Sequence, residues 1–343
     1  MTRRLNLFLL VLLLVIGVPF YWLLIDTSPW NVPAQPVAMA QLRSLAGSIP
    51  GAKPQRVGME IVGYRLLPGD VLAAGSGLKR RTKGILAFIL PVPGQGPVVI
   101  ETGMTAAIAA ATNHRFDPAA QLRVDAQMRK ASLVLATHEH GDHLGGLARL
   151  AGGPDGLLIL TKARLNRWQV PQADPDHALG WPAQMSIAPS ISELQPQAVG
   201  PGVVVVPSPS HTPGSQMIFV QLADGSEYLF TGDIASLAAG WIEQRPRSRL
   251  VTDYLTPEDR RATLSWLATI AALKKAAPQL RVIASHDYDW LINPENHSGV
   301  SRFNVQAANN HAGIGRAPAL EALSVSAGSL VRNGPVKQDV ASR

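Results

Sequence analysis

The chain has 343 residues, of which 46% are hydrophobic and 16% are charged, a composition typical of a folded protein that excludes global disorder. It contains no cysteine, which excludes disulfides, thiolate metal ligands and cysteine nucleophiles. The net charge is +7, and its densest cluster, Lys79-Arg80-Arg81 with Lys83, is predicted to lie in a loop between strands. We therefore expect no nucleic-acid partner.

The N-terminal segment 5–25 is apolar and follows Arg3 and Arg4. A helix of ~20 apolar residues spans a bilayer, and positive charge before the segment predicts an inside N-terminus with the rest of the chain exported. This membrane anchor has a cleaved signal peptide as its alternative, because Ala38-Met39-Ala40 offers a cleavage site. Both interpretations place the body of the protein on the periplasmic or extracellular side.

Composition divides the chain into four parts. Residues 1–30 are the membrane anchor or signal segment, and residues 31–56 are rich in Pro, Ala and Gln, which predicts a linker, with residues 26–56 irregular in structure. Residues 57–303 are predicted to form the folded domain. Residues 304–343 have no aromatic side chain and are predicted to be a loose tail.

Short apolar runs separated by turn residues predict strands that are buried on both faces. A proline- and glycine-rich turn at 91–96 separates the first two, and Ala223-Asp224-Gly225-Ser226 predicts a hairpin turn later in the chain. The predicted strands are 85–90, 98–100, 133–136, 157–160, 203–206, 217–222, 228–230 and 282–284.

Helices are predicted between these strands, at 117–129 and 257–276, with a further helix beginning near Leu144. For the helix at 257–276, Thr256 is the expected cap, Pro257 fits the first position, and Glu258 and Asp259 suit the positive end of the dipole. The mixed order of strands and helices predicts an α/β (α+β) fold.

The segment Thr137-His138-Glu139-His140-Gly141-Asp142-His143 carries three of the nine histidines directly after a predicted strand. Loops at the carboxyl ends of strands are where sheets of this kind place their sites. Imidazole and carboxylate are good ligands for Zn²⁺, Fe²⁺ or Mn²⁺. Three more candidate ligands each follow an apolar run: His211, Asp233 and His286.

This order of motifs, HxHxDH, then HTPGS, then TGD, then a late histidine at a strand end, resembles the metallo-β-lactamase-fold hydrolase superfamily over residues 60–295. The resemblance implies a four-layered αββα sandwich and two zinc ions, with Fe or Mn as alternatives. It implies that Asp233 bridges both ions opposite a shared hydroxide and, with Asp142, is catalytic. The implied ligands of the first ion are His138, His140 and His211, and those of the second are Asp142, His143 and His286.

The resemblance implies hydrolysis of an ester, thioester, lactone or amide bond in a small-molecule substrate, closest to the glyoxalase-II and lactonase branch. Two positions depart from the family pattern. Glu101 stands where the family often has a supporting Asp, and Ser236 stands where lactonases often have a Tyr. Phosphodiesterase or nuclease, β-lactamase and mono-iron persulfide dioxygenase activities remain alternatives on this scaffold. So does a membrane-tethered binding module in which a metal is only structural. An acidic neighbour, Asp287, could orient His286.

Overall fold

The computed structural model describes residues 2–174 and 178–303, and it confirms a sandwich of two sheets. In chain order the strands are β1 (Val57–Pro68), β2 (Arg80–Leu90), β3 (Val98–Ile100), β4 (Arg115–Phe116), β5 (Leu133–Leu135), β6 (Gln197–Gly200), β7 (Val203–Pro207), β8 (Gln216–Gln221), β9 (Glu227–Phe230), β10 (Arg281–Ile283) and β11 (Val300–Arg302).

The first sheet has the order β11-β1-β2-β3-β5, with β4 paired to β1, and the second has the order β10-β9-β8-β7-β6. Side chains from both sheets fill the space between them; Phe88, Leu135, Ile218 and Phe230 are almost completely buried there. Strands β3 and β5 are parallel, as are β9 and β10. Their carboxyl ends therefore reach one edge of each sheet.

Helices cover the outer face of each sheet and complete the predicted αββα layers. The helices are α1 (Arg3–Ile25), α2 (Met39–Ala46), α3 (Gly69–Leu72), α4 (Ala106–Ala111), α5 (Pro118–Lys130), α6 (Gly141–Ala151), α7 (Gly156–Lys162), α8 (Ala238–Ile242), α9 (Arg260–Ala276) and α10 (Tyr288–Ile292). A π-helical turn, Leu250–Leu255, precedes α9.

Two predicted elements differ in the structure. The apolar run at 157–160, which the pattern predicts to be a strand, instead lies in α7, with Leu157 exposed and Ile159 buried, because a run of four apolar residues fits either period. The helix predicted from residue 257 begins at Arg260, because Asp259 rather than Thr256 caps it by accepting a hydrogen bond from the Ala262 amide.

The segment expected to be irregular, 26–56, contains α2, whose Leu42 and Ala46 pack completely buried against the second sheet. The basic cluster expected in a loop extends onto β2, so that Lys83 lies within a strand. The predicted tail, 304–343, falls outside the described residues.

Among the described residues, α1 is the one helix that is long and apolar enough to cross a membrane, judged by length and composition; a signal sequence meets the same criterion. Its last turn is attached to the domain. The Gly75 amide donates to the Leu24 carbonyl at 2.9 Å, and the Arg249 guanidinium lies over the Trp22 ring, 4.0 Å from its centroid.

Candidate metal centre

The candidate ligands lie at the carboxyl ends of four strands, at one edge of the sandwich. Residues 137–143 follow β5 and run into α6, and His211 lies in the loop between β7 and β8. Asp233 follows β9, and His286 follows β10. Because β5 belongs to one sheet and the other three strands to the second, the site lies across both sheets. All seven predicted residues come together there.

The first group joins three histidines. Nε2 of His138 lies 3.1 Å from Nδ1 of His140, and Nε2 of His211 lies 3.0 Å from that same Nδ1. Three ring nitrogens that converge this closely form a triangle that could hold one ion, with a fourth position open.

The second group joins Asp142, His143 and His286. The Nε2 atoms of both histidines lie 3.8 Å from carboxylate oxygens of Asp142. Asp233 stands between the two groups: its Oδ1 lies 2.9 Å from Nε2 of His286, and its Oδ2 lies 3.5 Å from Nε2 of His211. One carboxylate thus faces both triangles.

Two of the ring nitrogens that point away from the centre lie against oxygen acceptors, which orients those two imidazoles. Nδ1 of His143 lies 3.1 Å from Oε1 of Glu101, and Nδ1 of His286 lies 2.7 Å from the Gly84 carbonyl oxygen. Glu101 adopts a φ of 65°, a left-handed conformation uncommon for a residue with a side chain, and is 4% exposed. Its position matches the supporting role that the sequence suggested.

Asp287 has a different part. Its Oδ2 accepts from the Ala238 amide at 2.9 Å, and its Oδ1 accepts from the Trp290 amide at 3.2 Å. It therefore caps α10 and ties this helix to α8. The carbonyl of Gly84, not Asp287, holds His286.

Three further charged residues reach the centre, and the sequence did not single them out for it. Lys83 donates to Oδ2 of Asp142 at 2.9 Å. Arg247 donates to Oδ2 of Asp233 at 3.2 Å, and its Nε lies 3.0 Å from Oε1 of Glu258. The same Oε1 lies 3.2 Å from Nδ1 of His211. The local pattern around Glu258 indicates only the start of a helix, and Arg247 lies in an irregular loop without a motif, so no local signal marks either residue as part of the centre.

Burial sets the protonation of the first group. It lowers the pKa of His140 to about 4, and it lowers the pKa values of His138 and His211 well below their ordinary value. These imidazoles are therefore neutral at pH 7, the form that binds metal. Burial also opposes the protonation of His143, but Glu101 and Asp142 outweigh it and raise the His143 pKa to about 9.

The residues fit divalent cations. Nε2 of His143 is buried and makes no hydrogen bond within the described residues, which leaves it free as a ligand. Four carboxyl groups (Glu101, Asp142, Asp233, Glu258) surround the centre against two cationic side chains, Lys83 and Arg247. Burial raises the pKa of Glu258 to about 7, and the protonated His143 is a third cation in the metal-free protein. With Glu258 protonated, the three remaining carboxylates therefore balance three cations, and a divalent ion would take the place of the His143 proton beside these buried carboxylates.

Comparison with known proteins agrees with this architecture. No curated protein sequence matches the chain. A solved N-acyl homoserine lactone lactonase is similar with a TM-score of 0.51 and 17% identity, over 69% of this chain and 94% of that one. An N-acyl homoserine lactone hydrolase, solved with N-hexanoyl-L-homoserine at its catalytic metal centre, is similar with a TM-score of 0.53 and 16% identity, over 74% of this chain and 98% of that one.

A probable metal-dependent hydrolase from Staphylococcus aureus gives a TM-score of 0.50 and 15% identity, over 69% of this chain and 91% of that chain. At these identities the likeness concerns the fold. The family is shown by the sequence itself, since the Beta-lactamase superfamily domain matches residues 97–286, more than half of the chain and all seven candidate ligands. This chain belongs to the metallo-β-lactamase-fold superfamily of hydrolases.

Proposed function

We propose that this protein is a dinuclear metal hydrolase that cleaves an ester, thioester, lactone or amide bond. The observation that carries the proposal is the position of Asp233 between two triangles of ligands. In each triangle the ligand atoms lie within 4.8 Å of one another; the first is His138, His140 and His211, and the second is Asp142, His143 and His286. A purely structural ion would need one closed set of four ligands rather than two open ones.

Two zinc ions, or Fe or Mn in their place, would supply a water that loses its proton near neutral pH and a Lewis acid for the substrate carbonyl oxygen. The residues of the chain hold and orient the rest. Glu101, Glu258 and the Gly84 carbonyl lie against the outer nitrogens of His143, His211 and His286 and would orient their rings. Asp142 has 16% of its side chain exposed, against 3% for Asp233, so it is the carboxylate placed to move a proton between solvent and the leaving group.

We also propose that α1 is retained as a membrane anchor and that the catalytic domain is exported. Cleavage after Ala40 would fall inside α2, next to Met39, which is 5% exposed in the core. It would also remove Asp26 and Gln35. Asp26 binds Arg249 at 2.7 Å, and the Gln35 amide donates to Oγ1 of Thr269 at 2.7 Å. Retention keeps these contacts.

The test is a hydrolysis screen of the full chain in detergent, using carboxylic esters, lactones, thioesters, a β-lactam and a phosphodiester. We expect turnover of at least one acyl substrate, lost on chelation and restored by Zn²⁺. Turnover of the phosphodiester alone would assign the protein to the nuclease or phosphodiesterase branch. Acyl hydrolysis that persists after complete metal removal would refute the metal mechanism.

A further inference from the structure

The loop 245–260 contacts the metal centre on one side and the end of α1 on the other. Arg247 and Glu258 point to the centre, where they meet Asp233 and His211. Their neighbours point the opposite way. This one segment of the chain therefore contacts both the metal centre and the base of the apolar helix.

The attachment to the helix is made by buried charged groups. Nε of Arg249 donates to Oδ2 of Asp26 at 2.7 Å, and Asp26 is 4% exposed. Arg260 donates to the Ser28 carbonyl at 2.8 Å, and its other nitrogen donates to the Arg247 carbonyl at 2.7 Å. Arg260 therefore binds the helix base and the backbone of the centre at once. Such an arrangement holds the domain in one orientation relative to α1.

Large apolar side chains are exposed around this attachment. Trp30 is 68% exposed, Ile242 is 54%, and Tyr254 and Leu255 are each 66% exposed. Trp30 and Ile242 line one cavity with Pro29, and Tyr254 and Leu255 end the π-helical turn that starts beside Arg249. We call these four residues the interfacial patch.

We propose that the interfacial patch lies in the interfacial region of the bilayer that α1 spans, and that the centre takes acyl substrates that partition into that bilayer. This rests on the proposed function. The occupant follows from continuity with a 23-residue apolar helix, about 34 Å long at 1.5 Å per residue. Trp30 follows this helix in sequence, and Tyr254 and Leu255 follow Asp253, which pairs with the Arg249 that binds the helix base. The length of the helix matches a hydrocarbon core of about 30 Å, and Trp and Tyr are enriched at its boundary.

The absence of cysteine makes the surface directly measurable, since each introduced cysteine is the one labelling site in the chain. Leu255→Cys and Leu122→Cys, spin-labelled in the full chain and reconstituted into phosphatidylethanolamine–phosphatidylglycerol nanodiscs, form a matched pair. Leu122 is 64% exposed on α5, in the helical layer of the other sheet. We expect oxygen-rich, nickel-poor accessibility at 255 and the aqueous pattern at 122. An aqueous pattern at both positions would overturn the proposal.

The substrate class is tested by comparing para-nitrophenyl palmitate dispersed in vesicles with water-soluble para-nitrophenyl butyrate. Leu255→Glu should lower turnover of the palmitate about tenfold, because one leucine contact with the bilayer is lost, and should leave turnover of the butyrate unchanged. The control, Leu122→Glu, should keep the palmitate-to-butyrate ratio of the wild type. Equal loss on both esters, or on neither, would overturn the inference. If the wild type cleaves neither ester, the same comparison is made with a long-chain and a short-chain member of the acyl class that the screen identifies. If the screen finds no acyl substrate, the proposed function fails, and the accessibility at position 255 alone decides the surface.

Discussion

Replacement of Asp233 by Asn removes the one carboxylate shared by both ligand groups. Its Oδ1 lies 2.9 Å from His286 and its Oδ2 lies 3.5 Å from His211. Asn preserves the shape and can still accept the hydrogen bond that Ser285 donates at 2.6 Å. The substitution therefore changes charge with little change in packing.

The magnitude follows from the distances. Unit charges about 4 Å apart interact by about 4 kcal/mol at an effective dielectric constant near 20. Since about 1.4 kcal/mol is a factor of ten, we expect kcat/KM to fall about 1,000-fold. The fold should survive, because Arg247 keeps Glu258 as its partner at 3.0 Å and no buried charge is left unpaired.

The assay is kcat/KM on the best substrate of the screen, with metal content and thermal unfolding measured on the same samples. Asp155→Asn is the matched control, because the Asp155 side chain is 50% exposed and pairs with the exposed Arg129 outside both ligand groups. An Asp233→Asn enzyme that keeps two metals and loses less than about fivefold in kcat/KM would refute the reasoning, because a carboxylate that bridges two ions cannot be so dispensable.

Three further outcomes are expected. Glu101→Gln should weaken binding of the second ion about 10- to 100-fold, because Glu101 contacts His143. Glu258→Gln should weaken binding of the first ion, because Glu258 contacts His211. Competition titrations with a zinc chelator measure both affinities, and the reverse pattern would contradict the assignment. Because protonated His143 cannot bind metal and its pKa is about 9 in the metal-free protein, affinity for the second ion should fall about tenfold per pH unit below that value, while the first stays nearly constant to about pH 5. A pH-independent second affinity would contradict this. Removing residues 1–40 should lower the free energy of unfolding, measured in urea, by about 3–5 kcal/mol relative to removing residues 1–20, because the largely buried Arg249 then loses Asp26 as its partner. Equal free energies of unfolding would show that the attachment contributes nothing.

Much of the architecture was predictable because the informative residues are local in sequence. The apolar runs before His138, His211 and Asp233 correspond to β5, β7 and β9, and a ligand directly after a buried strand necessarily lies at a sheet edge. Glu101 also follows a strand, β3, but only the resemblance to the superfamily indicated its supporting role. Motif order then indicated the superfamily.

The surroundings of the ligands could not be predicted, because they depend on contacts distant in sequence. Lys83 meets Asp142 across 59 residues, and Arg249 meets Asp26 across 223. Nothing in the local pattern separates such residues from solvated surface charge. Glu258 was misassigned for a related reason: its spacing suits a helix N-terminus, and tertiary contact with Arg247 decided its place instead.

The central claim is that this edge of the sandwich holds two metal ions, and the metal content of the purified full chain tests it most directly. Elemental mass spectrometry of protein never exposed to chelator should find about two zinc ions per chain, and about one after Asp233→Asn. One iron per chain would favour the dioxygenase alternative. No metal in a folded, active sample would contradict the account.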